Sequence, residues 1–266
     1  MKSRRALVVA LIVLMLAVLP VSAITYGEPD GGRHPFVGML VAEFDGQKDW
    51  ICSGTLISPT VFLTAGHCTA YLESLEISKV WVSFDEVFNA STNTFLEGSY
   101  FTQPGYGHDF ARLNDLAVVV LNEPVAEITP ARLPPLGYFD QLGPMGLRDL
   151  QFTAVGYGNQ ERVVGGGPPD FGPYGTRRMA VGSFFALNKN WLRLSMNPAL
   201  GDGGTCYGDS GGPNFLGAGD SETNMIAGVT STGDMPCRAT NVIYRVDTLA
   251  ARFPGKVRRA AVGQPF

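Results

Sequence analysis

Gly208-Asp209-Ser210-Gly211-Gly212-Pro213 is the stretch from which the rest of the chain can be read. Glycine lacks a Cβ and tolerates positive φ, so a serine set among glycines can present its hydroxyl and neighbouring N–H groups to a bound carbonyl. Two other segments supply the chemistry such a serine would need. Thr64-Ala65-Gly66-His67-Cys68 offers a base, and Asn114-Asp115, heading the apolar run Leu116 to Leu121, offers an acid. Together they form a candidate set for nucleophilic catalysis by serine.

The same stretch satisfies Gly-x-Ser-x-Gly, the nucleophile elbow of α/β-hydrolases. That fold places its histidine after the serine. The histidines here are His34, His67 and His108, all before Ser210, so the elbow reading fails.

The chain has 266 residues, 45% hydrophobic and 17% charged, which is enough for one large domain or two small ones. Its 33 glycines and 18 prolines favour many turns and an all-β architecture. The formal net charge is −4, with no long basic run and no basic patch interleaved with aromatics, which argues against a nucleic-acid partner.

Residues 1–23 read as a secretory signal peptide. Lys2, Arg4 and Arg5 precede the apolar run Ala6 to Leu19, Pro20 breaks it, and Val21-Ser22-Ala23 is a small-residue cleavage site. The apolar run is short for an uncleaved membrane anchor, which takes about 20 residues. Residues 24–266 then form the mature domain, expected outside the cell. Four cysteines in a secreted chain suggest two disulfides. Three pairings are open, and Cys52 with Cys68 and Cys206 with Cys237 is the local one. No Cys-x-x-Cys or His-x-x-x-His favours a metal, and no cofactor is expected.

Short apolar runs between turn residues predict strands over Phe36–Ala42, Gly54–Ser58, Val61–Ala65, Val80–Phe84, Leu116–Leu121, Gln151–Val155, Met225–Ser231 and Val242–Val246. The second and third make a hairpin over Pro59-Thr60. The best helix candidate is Asp247 to Phe253, with Asp247 as N-cap and Pro254 beyond it. Gly165-Gly166-Gly167-Pro168-Pro169 reads as a surface loop. His34 and His108 read as surface or loop histidines. Asn89-Ala90-Ser91 is a glycosylation sequon whose use is open.

The chain order His67, Asp115, Ser210 is that of chymotrypsin-type enzymes. The sequence resembles the trypsin-like (chymotrypsin-fold) serine proteases through six segments. These are Cys52-Ser53-Gly54-Thr55-Leu56-Ile57-Ser58, Leu63-Thr64-Ala65-Gly66-His67-Cys68, Asn114-Asp115-Leu116-Ala117, Gly156-Tyr157-Gly158, Cys206 to Pro213, and Gly228-Val229-Thr230-Ser231. They run from one end of the mature chain to the other. The resemblance implies two packed six-stranded antiparallel β-barrels with a cleft between them. It implies catalysis by His67, Asp115 and Ser210, an oxyanion hole from the N–H groups of Gly208 and Ser210, and Ser231 behind Asp115. The backbone of Ser231-Thr232-Gly233 would pair with an extended substrate. The freed α-amino group of Ile24 would pair with Asp209.

Departures from the family carry information too. The usual Ile-Val-Gly-Gly start is Ile24-Thr25-Tyr26-Gly27, directly after the predicted cleavage site. The usual Ser-Trp-Gly is Ser231-Thr232-Gly233, which removes an aromatic floor. By resemblance the specificity pocket is based at Gly204 with Thr205 beside it, and Val242 projects into it. A trypsin carries Asp at that base. An uncharged, small to medium pocket follows, unless a shifted loop brings in Asp202. The expected activity is a monomeric, secreted serine endopeptidase acting on protein or peptide substrates, with a protein inhibitor as an open second partner. The alternatives are an idle binding protein on the same scaffold, or a secreted esterase with the same triad.

Overall fold

Strand β2 (Val37–Phe44) and β3 (Gln47–Ser58) meet across Asp45-Gly46. Both turn residues have positive φ, 49° and 78°, as a type I′ hairpin requires. A computed structural model describes residues 24–107, 113–160, 168, 170–172 and 174–252. The predicted signal peptide, His108 and the loop glycines Gly165 to Gly167 therefore lie outside the described residues.

β3 pairs with β4 (Val61–Thr64) over Pro59-Thr60, as the hairpin reading anticipated. β5 (Val80–Ser83), β6 (Leu96–Thr102) and β7 (Ala117–Leu121) complete a closed antiparallel barrel in the order β2-β3-β4-β7-β6-β5. Met39, Leu40, Leu56, Phe62 and Val118, all fully buried, belong to the apolar core packed on its strands.

A second barrel is built from β8 (Gln151–Gly156), β9 (Arg178–Leu187), β10 (Trp191–Ser195), β11 (Pro213–Leu216), β12 (Ile226–Gly233) and β13 (Thr240–Arg245). The order β8-β9-β10-β13-β12-β11 returns to β8 and closes the ring. The two six-stranded antiparallel barrels match the architecture expected from the sequence. A two-residue strand β1 (Glu28–Pro29) adds to the edge of β9, so the chain touches the second barrel before it enters the first.

Two helices were not anticipated. α1 (Gly66–Ser74) follows β4 and carries His67 and Cys68. α2 (Tyr138–Leu147) is kinked at Gly143, φ 60°, with Pro144 next to it, and buries Phe139 and Leu147 against Phe152 and Leu192. The helix expected at Asp247 is reduced to a 3-10 turn, Ala250–Arg252, and Phe253 lies outside the described residues. The Asp247 carboxylate does not cap it. It accepts hydrogen bonds from Arg245 and from the Phe139 N–H at 2.8 Å, tying α2 to β13.

His34, read as a surface or loop histidine, does lie in the loop before β2, but it is buried, only 3% exposed. Its Nδ1 bonds Asp30, and its Nε2 lies 2.6 Å from Glu222 of the β11–β12 connection. Arg177 Nε holds the other Asp30 oxygen at 2.9 Å, and Thr153 Oγ1 donates to Glu222 at 2.6 Å. The ring stacks on Phe215, centroids 5.3 Å apart. This buried cluster joins the segment before β2 to three parts of the second barrel. Burial alone would lower the imidazole pKa, but the hydrogen bonds to Asp30 and Glu222 outweigh it and raise the value. Asp30 is likewise penalised by burial, yet His34 and Arg177 bring it down to about 2.

The sign follows. A raised histidine pKa contributes stability that is complete below its ordinary value of about 6.5 and fades as pH rises through the folded value. His34→Ala leaves two carboxylates without their shared partner and should cost about 3–5 kcal/mol in urea unfolding at pH 6. Because the wild type loses this contribution at alkaline pH, the gap between variant and wild type should narrow there. A gap that does not change with pH counts against a charged His34.

Candidate active site

Asp115 sits at the entry to β7 and is 1% exposed. One carboxylate oxygen accepts the backbone N–H of His67 at 2.8 Å, and the other lies 2.9 Å from His67 Nδ1. Ser231 Oγ donates to that second oxygen. The acid is sealed while the His67 side chain remains 33% exposed, so the imidazole is fixed on one edge and open to solvent on the other. This fixes the tautomer with Nδ1–H toward Asp115 and leaves Nε2 as the available base.

The Asn114-Asp115 turn is itself anchored. Asn114 adopts φ 42°, its Nδ2 donates to Gly105 O at 2.9 Å, and its Oδ1 accepts from Tyr244 OH at 2.9 Å. Tyr244 belongs to β13, so a side chain of the second barrel helps set an acid carried by the first.

Ser210 lies just before β11. Its carbonyl accepts the Ser53 N–H at 2.8 Å, and Ser53 Oγ donates to Gly208 O at 3.0 Å while accepting the Tyr157 N–H at 3.1 Å. Ser53, on β3, is thus the clamp between the first barrel and the Ser210 loop. Ser53 belongs to the segment Cys52 to Ser58, which by itself gives no sign of this role.

Two glycines admit this close approach. A Cβ on Gly211, φ 81°, would stand 2.1 Å from Thr64 Oγ1 and 2.4 Å from Ser53 O. A Cβ on Gly208, φ 95°, would stand 2.2 Å from the Trp50 ring. Around the serine, the N–H groups of Asp209, Gly211 and Gly212 bond Cys206 O, Thr230 O and Asp209 O. The N–H groups of Gly208 and Ser210 have no such partner among the described residues. No hydrogen bond joins Ser210 Oγ to His67 Nε2 among the described residues, and in unliganded sites such contacts are often long and tighten with substrate.

A cavity of about 270 Å³ opens beside Ser210. Thr205, Cys206 and Tyr207 line one wall; residues 230–235 and Cys237 line the other. Of the residues expected to bind substrate, Thr205, Ser231, Thr232 and Gly233 line this space. Gly204 and Val242 are not among the residues that line it. Gly204 is buried against Met196, whose Cγ is 2.5 Å from where its Cβ would be, and its N–H bonds Thr25 O at 3.0 Å. Val242 pairs with Arg193 and Thr232 across β13. Asp202 is also absent from the lining. It is 2% exposed and accepts from Ser183 Oγ at 2.7 Å.

Asp234, which sequence reasoning passed over, does line the cavity. Its carboxylate accepts the N–H groups of Arg238, Ala239 and Thr240 at 2.7 to 2.9 Å, so its oxygens are engaged in holding the wall. β11 pairs with β12 only as far as Val229, so the flank of β12 at Ser231 to Gly233 is free of a β11 partner beside Ser210.

Asp209 is fully buried. Its oxygens accept N–H groups of Gly158 and Cys206, both at 2.8 Å, and no cation pairs with it among the described residues. Burial raises its pKa to about 7 despite those two bonds. Ile24 is buried as well, with φ 30°, and the next residue, Thr25, bridges Gly204.

Both disulfides form the local pairing. Cys52–Cys68 joins β3 to α1 beside His67, with Cα atoms 6.4 Å apart, and Cys206–Cys237 joins the two cavity walls at 5.3 Å. Cys52, Cys68 and His67 lie close together, but the sulfurs are bonded to each other rather than available to a metal. Among the described residues, no helix is long and apolar enough to cross a membrane.

The family model described as Trypsin matches residues 28–253. A trypsin of Saccharopolyspora erythraea is 31% identical over 210 residues, covering 76% of this chain and 82% of the relative. Kallikrein 1-related peptidase b8 of Mus musculus is 28% identical over 214 residues, covering 74% and 75%. A solved collagenase structure superposes with a TM-score of 0.64 over 91% of this chain and all of that one, at 19% identity, which is a likeness of fold. The chain belongs to the trypsin family of serine proteases.

Proposed function

We propose that this chain is a secreted serine endopeptidase that cleaves peptide bonds through an acyl-enzyme. The observation that carries the reading is the pairing of His67, through both its N–H and Nδ1, with the two oxygens of the sealed Asp115, next to a cavity lined by Ser210 and Ser231.

Ser210 Oγ attacks the scissile carbonyl carbon while His67 Nε2 takes its proton. The tetrahedral oxyanion forms within reach of the Gly208 and Ser210 N–H groups, where fixed donors stabilise developing charge. His67 then protonates the leaving amine, and the acyl group stays on Ser210. A water, deprotonated by the same imidazole, releases the acid and restores the serine. Asp115 keeps the imidazole tautomer and stabilises the imidazolium. The flank of Ser231 to Gly233 receives the substrate backbone as an added strand. The two disulfides suit an oxidising, extracellular setting.

The substrate side chain before the cleaved bond is uncharged and small to medium. Support comes from the cavity lining, where the one carboxylate among the described residues, Asp234, already accepts three N–H bonds, and from the sequestration of Asp202.

A fluorophosphonate probe should label the purified protein at Ser210, and a peptide library should show Ala, Val or Leu before the cleaved bond outperforming Arg or Lys. Absence of labelling returns the chain to an idle binding protein. Ester turnover without peptide turnover makes it an esterase. A library dominated by Arg or Lys overturns the pocket assignment.

A further inference from the structure

Two links join the same two walls of the Ser210 cavity. The inner one is the Cys206–Cys237 disulfide, whose cysteines are buried. The outer one is a hydrogen bond from the Tyr207 hydroxyl to the Met235 carbonyl, 3.2 Å long. Tyr207 is 51% exposed and Met235 80%, and both line the cavity. Tyr207 follows Cys206 directly and Met235 stands two residues before Cys237. The second link therefore lies outside the first, at the solvent end of the space.

We propose that Tyr207 is a strap across the mouth of this cavity, a specificity-determining residue that favours small uncharged side chains over aromatic or long ones. The inference rests on the reading of the cavity as the side-chain pocket of a Ser210 peptidase.

The walls and the strap differ in how firmly they are held. Asp234 fixes the Met235 side through three backbone N–H groups, and the Cys237 N–H adds a bond to Asp234 O at 2.9 Å. Cys237 itself has φ 55° and is locked by the disulfide. The tyrosine, by contrast, is held across the mouth by a single neutral, exposed hydrogen bond, which is a weak tie. Phe171 meets its ring edge-on, centroids 5.4 Å apart at 87°, and supports it from one side. A small side chain can enter with the strap in place. A large one has to displace the phenol and break its bond to Met235, which lowers the effective affinity by the fraction of time the mouth is open.

The test uses the full chain as wild type, Tyr207→Phe and Tyr207→Ala, with matched peptides carrying Ala or Phe before the cleaved bond. The readout is the ratio of kcat/KM for the Phe peptide to that for the Ala peptide. Tyr207→Phe keeps the ring and its Phe171 contact but loses the hydroxyl, so it should raise the ratio about two- to tenfold, the range of one neutral hydrogen bond. Tyr207→Ala should raise it further. Active wild type with unchanged ratios in both variants overturns the strap. A shift in Tyr207→Ala alone also overturns it, because ring bulk rather than the bond to Met235 would then be the cause. Wild type that neither cleaves peptides nor labels at Ser210 overturns the underlying catalytic reading instead.

Discussion

Ser210→Ala, and separately His67→Ala, should each lower kcat by about 10⁴–10⁶-fold while leaving the fold in place. The size of the effect follows from the way the groups act together. Without the hydroxyl there is no acyl-enzyme, and without the imidazole nothing takes the serine proton, so either loss removes most of what the set supplies. The structure explains why the fold survives. Ser210 joins its surroundings through its carbonyl, which accepts from Ser53 N–H, and alanine keeps that bond. His67→Ala removes the Nδ1 contact, but the backbone N–H to Asp115 remains, as does the Ser231 hydroxyl. The double variant should be about as slow as either single one. Turnover near wild type in either purified variant, with native circular dichroism, refutes the assignment.

What the sequence showed and what it hid divide along physical lines. The strands that were legible are those with apolar runs buried on both sides, such as β4, all buried, and β7, with four of five residues buried. β6 was missed because only Gly98 among Leu96–Thr102 is buried, so no apolar run marks it. β10 alternates short buried and exposed positions within five residues, and β11 opens on Pro213, a position that strands tolerate only at an end or edge. α2 was hidden because Gly143 and Pro144 inside it interrupt the helical pattern. The Asp45-Gly46 pair was a hairpin signal that the strand boundaries did not use.

The site divides in the same manner. His67, Asp115 and Ser210 are marked by local motifs. Asp115 and Ser210 adjoin positive-φ backbone at Asn114, Gly208 and Gly211, and Gly66 beside His67 leaves no room for a Cβ against Tyr106. The partners that hold them are remote in sequence. Ser53 reaches across 155 positions to Gly208, Ser231 across 116 to Asp115, and Tyr244 across 130 to Asn114. His34 looked ordinary because one of its two carboxylates, Glu222, is 188 positions away. Gly204 was placed at the pocket base by resemblance, from its position before Ser210, and the Met196 side chain packed against it left no mark in the local motif.

A chain that begins at Ile24 should be active, and the same chain carrying an N-terminal tag should be slower by about 10²-fold or more. Asp209 is the reason. It is fully buried, bonded by two N–H groups and without a cation among the described residues, and burial lifts its pKa to about 7. Gly156 and Gly158 hem its oxygens in, since a Cβ on either would come within 2.5 Å of them. A carboxyl whose folded pKa exceeds its unfolded value of about 3.9 destabilises the fold as pH rises between the two values, and the cost is complete above the higher one. Here that cost is on the order of 4 kcal/mol above pH 7 for a chain with no partner at Asp209. The counter-ion we propose is the α-amino group of a freed Ile24. Thr25 already bridges Gly204, two residues before the Cys206 that binds Asp209, so the start of the proposed mature chain runs beside the acid's own segment. An ammonium there would cancel the penalty and hold the loop that carries the Gly208 and Ser210 N–H groups; losing one such donor typically costs about 10²–10³ in kcat. The extended form should therefore lose stability as pH rises from about 4 to 7, and the form starting at Ile24 should not. Urea unfolding at pH 5 and pH 8, with kcat for both forms and N-terminal sequencing of the active enzyme, tests the pairing. A fully active extended form, or an active enzyme whose first residue is not Ile24, shows that Asp209 is satisfied in some other way.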